Sequence, residues 1–317
     1  MPIDRRPVAE MLFAAITCSS RAQLATLRTA ASRATRRIVT ASIPVPTEAF
    51  MERPETVALV ESEIYRNSWA ESASSFFPEV AGMHFAKVDM FSTINKGAAT
   101  LGNLEQILAQ DLSCLDEVTD IDGSCSIVPH SEVLSSTAYC ILIARGPIQC
   151  LISQYFVESL PLAGLVLVDP LLLPDDGRIN QPGVGSEQSR WSSSVRDLVS
   201  MLDRSSSNTP MINSPQITNG VQSEQHRSEL NEINLIRSLE TDKGRTLKLE
   251  PRAVPTLVMY TGGHEYEDHF RICAERTASF HTSAADGDFF DQVPVVKVKD
   301  DSSHMQTILD WYDESAM

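Results

Sequence analysis

The chain has 317 residues, is 42% hydrophobic and carries a formal net charge of −16. A chain of this length houses one α/β domain with an inserted segment, or two small domains, around a real core. The acidity argues against nucleic-acid binding, which rests on Lys and Arg at phosphates, and no apolar run reaches the roughly 18–20 residues of a membrane span.

The first 40 residues depart from that balance. They hold seven arginines (positions 5, 6, 21, 28, 33, 36 and 37) and two acids, Asp4 and Glu10, and no acid lies between Met11 and Thr47. Arg- and Ser-rich, acid-poor composition is that of an organellar transit peptide. Residues 1–45 are therefore expected to be such a peptide, disordered and mitochondrial (alternatively plastid), cleaved soon after Arg36-Arg37. The competing reading is a basic tail with no address. The six cysteines (18, 114, 125, 140, 150 and 273) show no Cys-x-x-Cys or other ligand spacing. Free, mostly buried thiols of a reducing compartment are expected, with no metal site. His264 and His269 flank acids without forming a compact ligand set. Neither Gly-x-Gly-x-x-Gly nor a P-loop is present, so no cofactor is expected.

Thr56 to Val60 (TVALV) reads as the first buried strand and Phe85 to Met90 as the second. Asn103 with Gln106 three residues on suggests a helix cap, followed by a stripe of Leu104, Ile107, Leu108, Leu112, Leu115 and Val118 at the helical period. Ala138 to Ala144 is an apolar run suited to a strand buried on both faces. Arg145-Gly146-Pro147 breaks it, and apolar residues then recur at 148, 151, 152, 155 and 156 on one helical face. Leu165 to Val168 is the next strand, and strand-helix-strand makes a right-handed parallel crossover.

After Pro174 the composition turns to Ser, Asn, Gln, Gly and Pro, with helical islands at Trp191–Asp203 and Glu224–Leu239. The second island carries Leu230, Ile233, Ile236 and Leu239 on one side, and Ser205–Gly220 between the two reads as a loop. Val254–Tyr260 and Val293–Val298 are the last strands, and Met305–Asp313 is a terminal helix.

The stretch from Thr137 to Pro174 resembles the nucleophile-elbow region of α/β-hydrolases, where a serine in Gly-x-Ser-x-Gly is held in a strained turn at a strand's end. Here the five residues are Arg145-Gly146-Pro147-Ile148-Gln149. Counting back from Gln154 puts the serine position on Pro147, and a one-residue slip puts it on Gly146; neither can attack a carbonyl. Where the family follows its first buried strand with His-Gly, this chain has Glu61-Ser62-Glu63, then the familiar Ser68-Trp69. A carboxylate there would repel a developing oxyanion, unless both acids simply face solvent. The resemblance further implies a triad acid at Glu265 or Asp268 and a triad histidine at His304, after the last strand. It implies a fold of mostly parallel central sheet with helices on both faces and a small helical cap. The domain parts would be 46–174 and 251–317, with the cap at 175–250.

Three functions are consistent with these residues. The first is a degenerate hydrolase acting as a binding or scaffold protein, for a small apolar or acyl ligand or a protein partner. The second is a His304–acid dyad serving as general base on a small ester, thioester or acidic C–H substrate. The third is a substitute nucleophile, Cys150 or Ser153.

Overall fold

Four of the strands are mostly aliphatic and buried on both faces, as a parallel sheet sandwiched between helices requires. In the computed structural model the described residues are 38–42, 53–65, 68–91, 100–112, 137–171, 195–201, 221–239, 247–248, 253–263, 266–282, 292–299 and 304–316. The strands are β1 (Ile38–Ser42), β2 (Thr56–Glu61), β3 (His84–Val88), β4 (Cys140–Arg145), β5 (Gly164–Val168), β6 (Thr256–Thr261) and β7 (Val295–Val298). They form one sheet in the order β1-β3-β2-β4-β5-β6-β7. β2 through β7 are parallel and β1 is antiparallel to β3, with Ile38 opposite Val88 and Ser42 opposite Phe85.

β1 lies within residues 1–45, the stretch whose composition suggests a leader. A composition average places Ile38-Val39-Thr40-Ala41-Ser42 in the basic tail, yet three of the five are β-branched and they pair with the sheet edge. Among the described residues the sheet begins at Ile38. Leu115, Val118, His264 and Glu265 are among the expected features that lie outside the described residues.

Alternation along the strands sends side chains to two cores. On one face Val57, Leu59, Phe85, Ile141, Ile143, Val166 and Met259 pack against α1 (Ala70–Phe76) and α6 (His304–Ala316). On the other, Ala58, Val60, Val88, Leu142, Leu165 and Val258 pack against α2 (Leu101–Leu112), α3 (Pro147–Val157) and α5 (Glu267–His281). The inserted segment supplies residues 195–201, which are helical, and α4 (Val221–Ser238) to that second core.

Three helices differ in detail from their sequence patterns. The N-cap of α2 is Thr100, not Asn103: the Asn103 N–H donates to Thr100 Oγ1 at 3.2 Å and the Leu104 N–H to the Thr100 carbonyl at 3.1 Å. All eleven residues of α3 are buried, Gln149, Ser153 and Gln154 included, because α2 and the insertion cover its outer side. In α4 and the residue that follows it the buried stripe is Glu232, Leu235, Ile236 and Leu239, while Leu230 is exposed. A carboxylate at the N-terminal end of that stripe hides the true face from a hydropathy count.

Packing of α6 against β5 depends on the absence of a side chain. A Cβ on Gly164 would lie 3.2 Å from Trp311 Cη2 and 3.6 Å from Tyr312 Cδ2. Gly164→Leu should therefore overpack this contact and lower the unfolding free energy by about 1–3 kcal/mol, measured by urea denaturation.

Candidate functional site

At the C-terminal edge of the sheet β4 runs into Gly146, which has φ 121° and ψ 158°, and α3 begins at Pro147. The turn is thus made at Gly146, in a conformation L side chains rarely adopt, while Pro147 takes the first helical position, where its missing N–H does no harm. Space excludes a side chain as well. A Cβ on Gly146 would lie 2.6 Å from Ser62 Cβ and 2.5 Å from Gln149 Oε1. Ser62 and Gln149 fill the point of the turn.

Behind it lies a buried ion pair. β2 and β4 pair in register, so that Glu61 stands opposite Arg145. The Arg145 guanidinium, 0% exposed, donates through Nη1 to Glu61 Oε1 at 2.5 Å. Glu61 Oε1 also accepts the Trp69 N–H at 2.8 Å, and Oε2 accepts the Ser68 hydroxyl at 2.5 Å with Lys87 Nζ at 3.8 Å. The carboxylate expected to face either an oxyanion or solvent does neither; it faces Arg145. The guanidinium carbon also lies 4.4 Å from the Tyr65 ring centroid and 4.5 Å from that of Trp69.

From the inserted segment α4 contributes Glu232, also 0% exposed. Its Oε1 accepts the Ser62 hydroxyl at 2.7 Å and the Gln149 amide at 3.0 Å, and its Oε2 accepts the Glu63 N–H at 3.0 Å. Burial pushes the Glu232 carboxyl up to about 7, against the pull of these three donors. Glu63 is half-buried and is likewise raised, first by burial and then by Asp89.

Asp169, just past β5, holds φ 54°, a left-handed conformation Asp tolerates better than most residues. Its carboxylate ties three segments together. It accepts the Thr261 N–H and hydroxyl, both at 2.7 Å, and the Tyr65 hydroxyl at 2.9 Å. Burial still raises its pKa.

Of the residues singled out as catalytic, Glu265 lies outside the described residues, and His304 and Asp268 differ sharply in exposure. His304 opens α6, is 2% exposed and stacks on Trp69 with ring centroids 3.6 Å apart. Asp268 sits in the first turn of α5, where a carboxylate suits the helix N-terminus, with its side chain 90% exposed and 3.3 Å from Arg271. Cys150 turns inward, its thiol 3.2 Å from the Ala144 carbonyl and 3.3 Å from that of Val168. Burial raises that thiol well above its ordinary value, and a neutral thiol is no nucleophile. Ser153 is buried in the same helix. The sequence reading missed Arg145, Glu232 and Asp169. For Arg145 a signal existed: TVALVE and CILIAR each end five mostly apolar residues with one charge, of opposite sign.

No protein-family model matches the sequence, and no curated protein matches it. Solved structures do resemble it. A hydrolase from Oleispira antarctica is 8% identical with a TM-score of 0.50, covering 88% of this chain and 95% of that one. An alpha/beta hydrolase from Sphaerobacter thermophilus is 14% identical with a TM-score of 0.47, covering 86% and 95%. The chain has the α/β-hydrolase fold. Within that fold the nucleophile stands at the turn after a central strand, and one oxyanion N–H comes from a loop after a neighbouring strand. In this chain the turn after β4 is made at Gly146, and the loop after β2 carries Ser62 and Glu63.

Removing one partner of the Glu61–Arg145 pair strands a buried charge. Arg145→Met should lower stability by about 3–5 kcal/mol, and adding Glu61→Gln should recover much of that loss, as read from urea midpoints of the two variants.

Proposed function

We propose that this protein uses the α/β-hydrolase fold as a binding or scaffold module and performs no acyl-enzyme chemistry. One observation carries the reading: the space in which a serine side chain at position 146 would lie is filled by Ser62 and Gln149. Electrostatics support it. A loop N–H that would stabilise an oxyanion is engaged by the Glu232 carboxylate. Its partner is a small apolar or acyl ligand or another protein.

The reading of a His304–acid dyad is weaker on the same grounds. His304 is stacked on Trp69 and Asp268 lies at the surface beside Arg271. A general base needs to come within about 3 Å of the proton's donor atom, and a ring packed face to face on an indole has one face closed.

The organellar address is part of the proposal. The arginine-rich leader ends at Arg36-Arg37 and β1 begins at Ile38, so cleavage there would leave every described strand of the sheet intact.

A fluorophosphonate probe should leave the protein unlabelled, and short-chain esters should not be turned over above background. Gly146→Ser should not restore either activity, since the added side chain meets Ser62 and Gln149. Covalent labelling of the wild-type chain on any serine, followed by ester turnover lost with it, would overturn the reading.

A further inference from the structure

We propose that the loop after β2 and the first turn of α3 form a carboxylate-binding site, which Glu232 occupies as a ligand supplied by the chain itself. Three donors converge on the two oxygens of one carboxylate. Ser62 Oγ donates to Glu232 Oε1 at 2.7 Å, and Gln149 Nε2 donates to the same oxygen at 3.0 Å. The Glu63 N–H donates to Oε2 at 3.0 Å. Ser62 Oγ accepts the Ile64 N–H at 3.2 Å, so its own hydrogen is left for Glu232. Both oxygens of the occupant thus meet hydrogens, and an ionised carboxylate, which only accepts, is the group that answers them.

The three donors belong to the end of the sheet and their occupant to the inserted segment. Ser62 and Glu63 follow β2 directly, Gln149 lies in the first turn of α3, and the Ser62 N–H donates to the Arg145 carbonyl at 2.8 Å. Glu232 reaches them from α4, 170 residues from Ser62 and 83 from Gln149. Burial and the neighbouring Glu63 carboxylate work against an anion there, so its retention rests on the three hydrogen bonds. Filled in this way, the site is closed to free carboxylates in the wild-type chain.

Glu232→Ala removes Cγ and the carboxylate group, which are the heavy atoms of an acetate ion, and leaves the three donors in place. Acetate is therefore the probe, with sodium chloride matching the ionic strength and acetamide as the neutral isostere. Urea unfolding of the full chain is followed at about pH 8, above the value of about 7 to which burial pushes the Glu232 carboxyl. In E232A acetate should stabilise saturably: at about ten times its dissociation constant the unfolding equilibrium constant should fall about 10-fold. Acetamide must turn an N–H towards a donor and should bind on the order of 10-fold more weakly. Adding Ser62→Ala to E232A removes one donor while keeping the Cβ, and should weaken acetate by a similar factor, on the order of 10-fold. The wild type should show no saturable response.

The proposal is overturned if acetate does no more than chloride in E232A, if acetamide matches acetate, or if the wild type responds equally. Should E232A stay unfolded in chloride, refolding from urea into acetate decides. Native tryptophan fluorescence recovered in acetate and not in acetamide supports the site; any other outcome overturns it. The readout is binding at the turn and not catalysis, so its failure would leave the reading of the elbow untouched.

Discussion

A guanidinium with no exposed surface persists in an α/β core only if a carboxylate meets it. Arg145 and Glu61 meet because β2 and β4 are parallel neighbours in register. Much of the site follows from that contact. Glu61, held inward, receives the Ser68 hydroxyl and the Trp69 N–H and so fixes the loop after β2. Trp69, fixed in turn, is the surface on which His304 stacks. The same loop places Ser62 over Gly146. In this architecture the end of the sheet, which in related folds is the ordinary place for a ligand, is occupied by the chain's own charged and aromatic side chains.

The fold was legible because its signals are strong and local. The central strands are aliphatic runs of buried-strand length, and the Arg145-Gly146-Pro147 break between strand and helix carries both a permissive and a restrictive residue. What sequence blurred were the edges. Ile38–Ser42 was averaged into an arginine-rich neighbourhood, although its β-branched residues suit an edge strand. On sequence Asn103 took the place of Thr100 as the cap of α2, because two cap-forming residues stand within one turn of each other and hydrogen bonding alone separates them. The turn itself sits at Gly146, where a positive φ is required, and not at Pro147, whose ring forbids one.

The candidate site was less legible, for a different reason. Position along the chain located His304 and the Glu61-Ser62-Glu63 loop, but chemistry depends on what each side chain touches across long separations. Ser62 meets Glu232 170 residues away and Glu61 meets Arg145 across 84. A glutamate in a helix of otherwise mixed polarity gives no hint that its side chain is fully buried against the strand ends. Asp169 was visible within GLVLVDP, yet only the fold brings Thr261 and Tyr65 to it.

The two margins of the sheet finish differently, and this bears on self-association. β7 is four residues long, is preceded by Pro294, and presents Lys297 outward with Lys299 just beyond it. Proline offers no amide hydrogen to an approaching ladder, and lysines on a short margin make it a poor template for a strand from another molecule. A chain this rich in aliphatic strands is thereby guarded at that side against extending its sheet into a neighbour's.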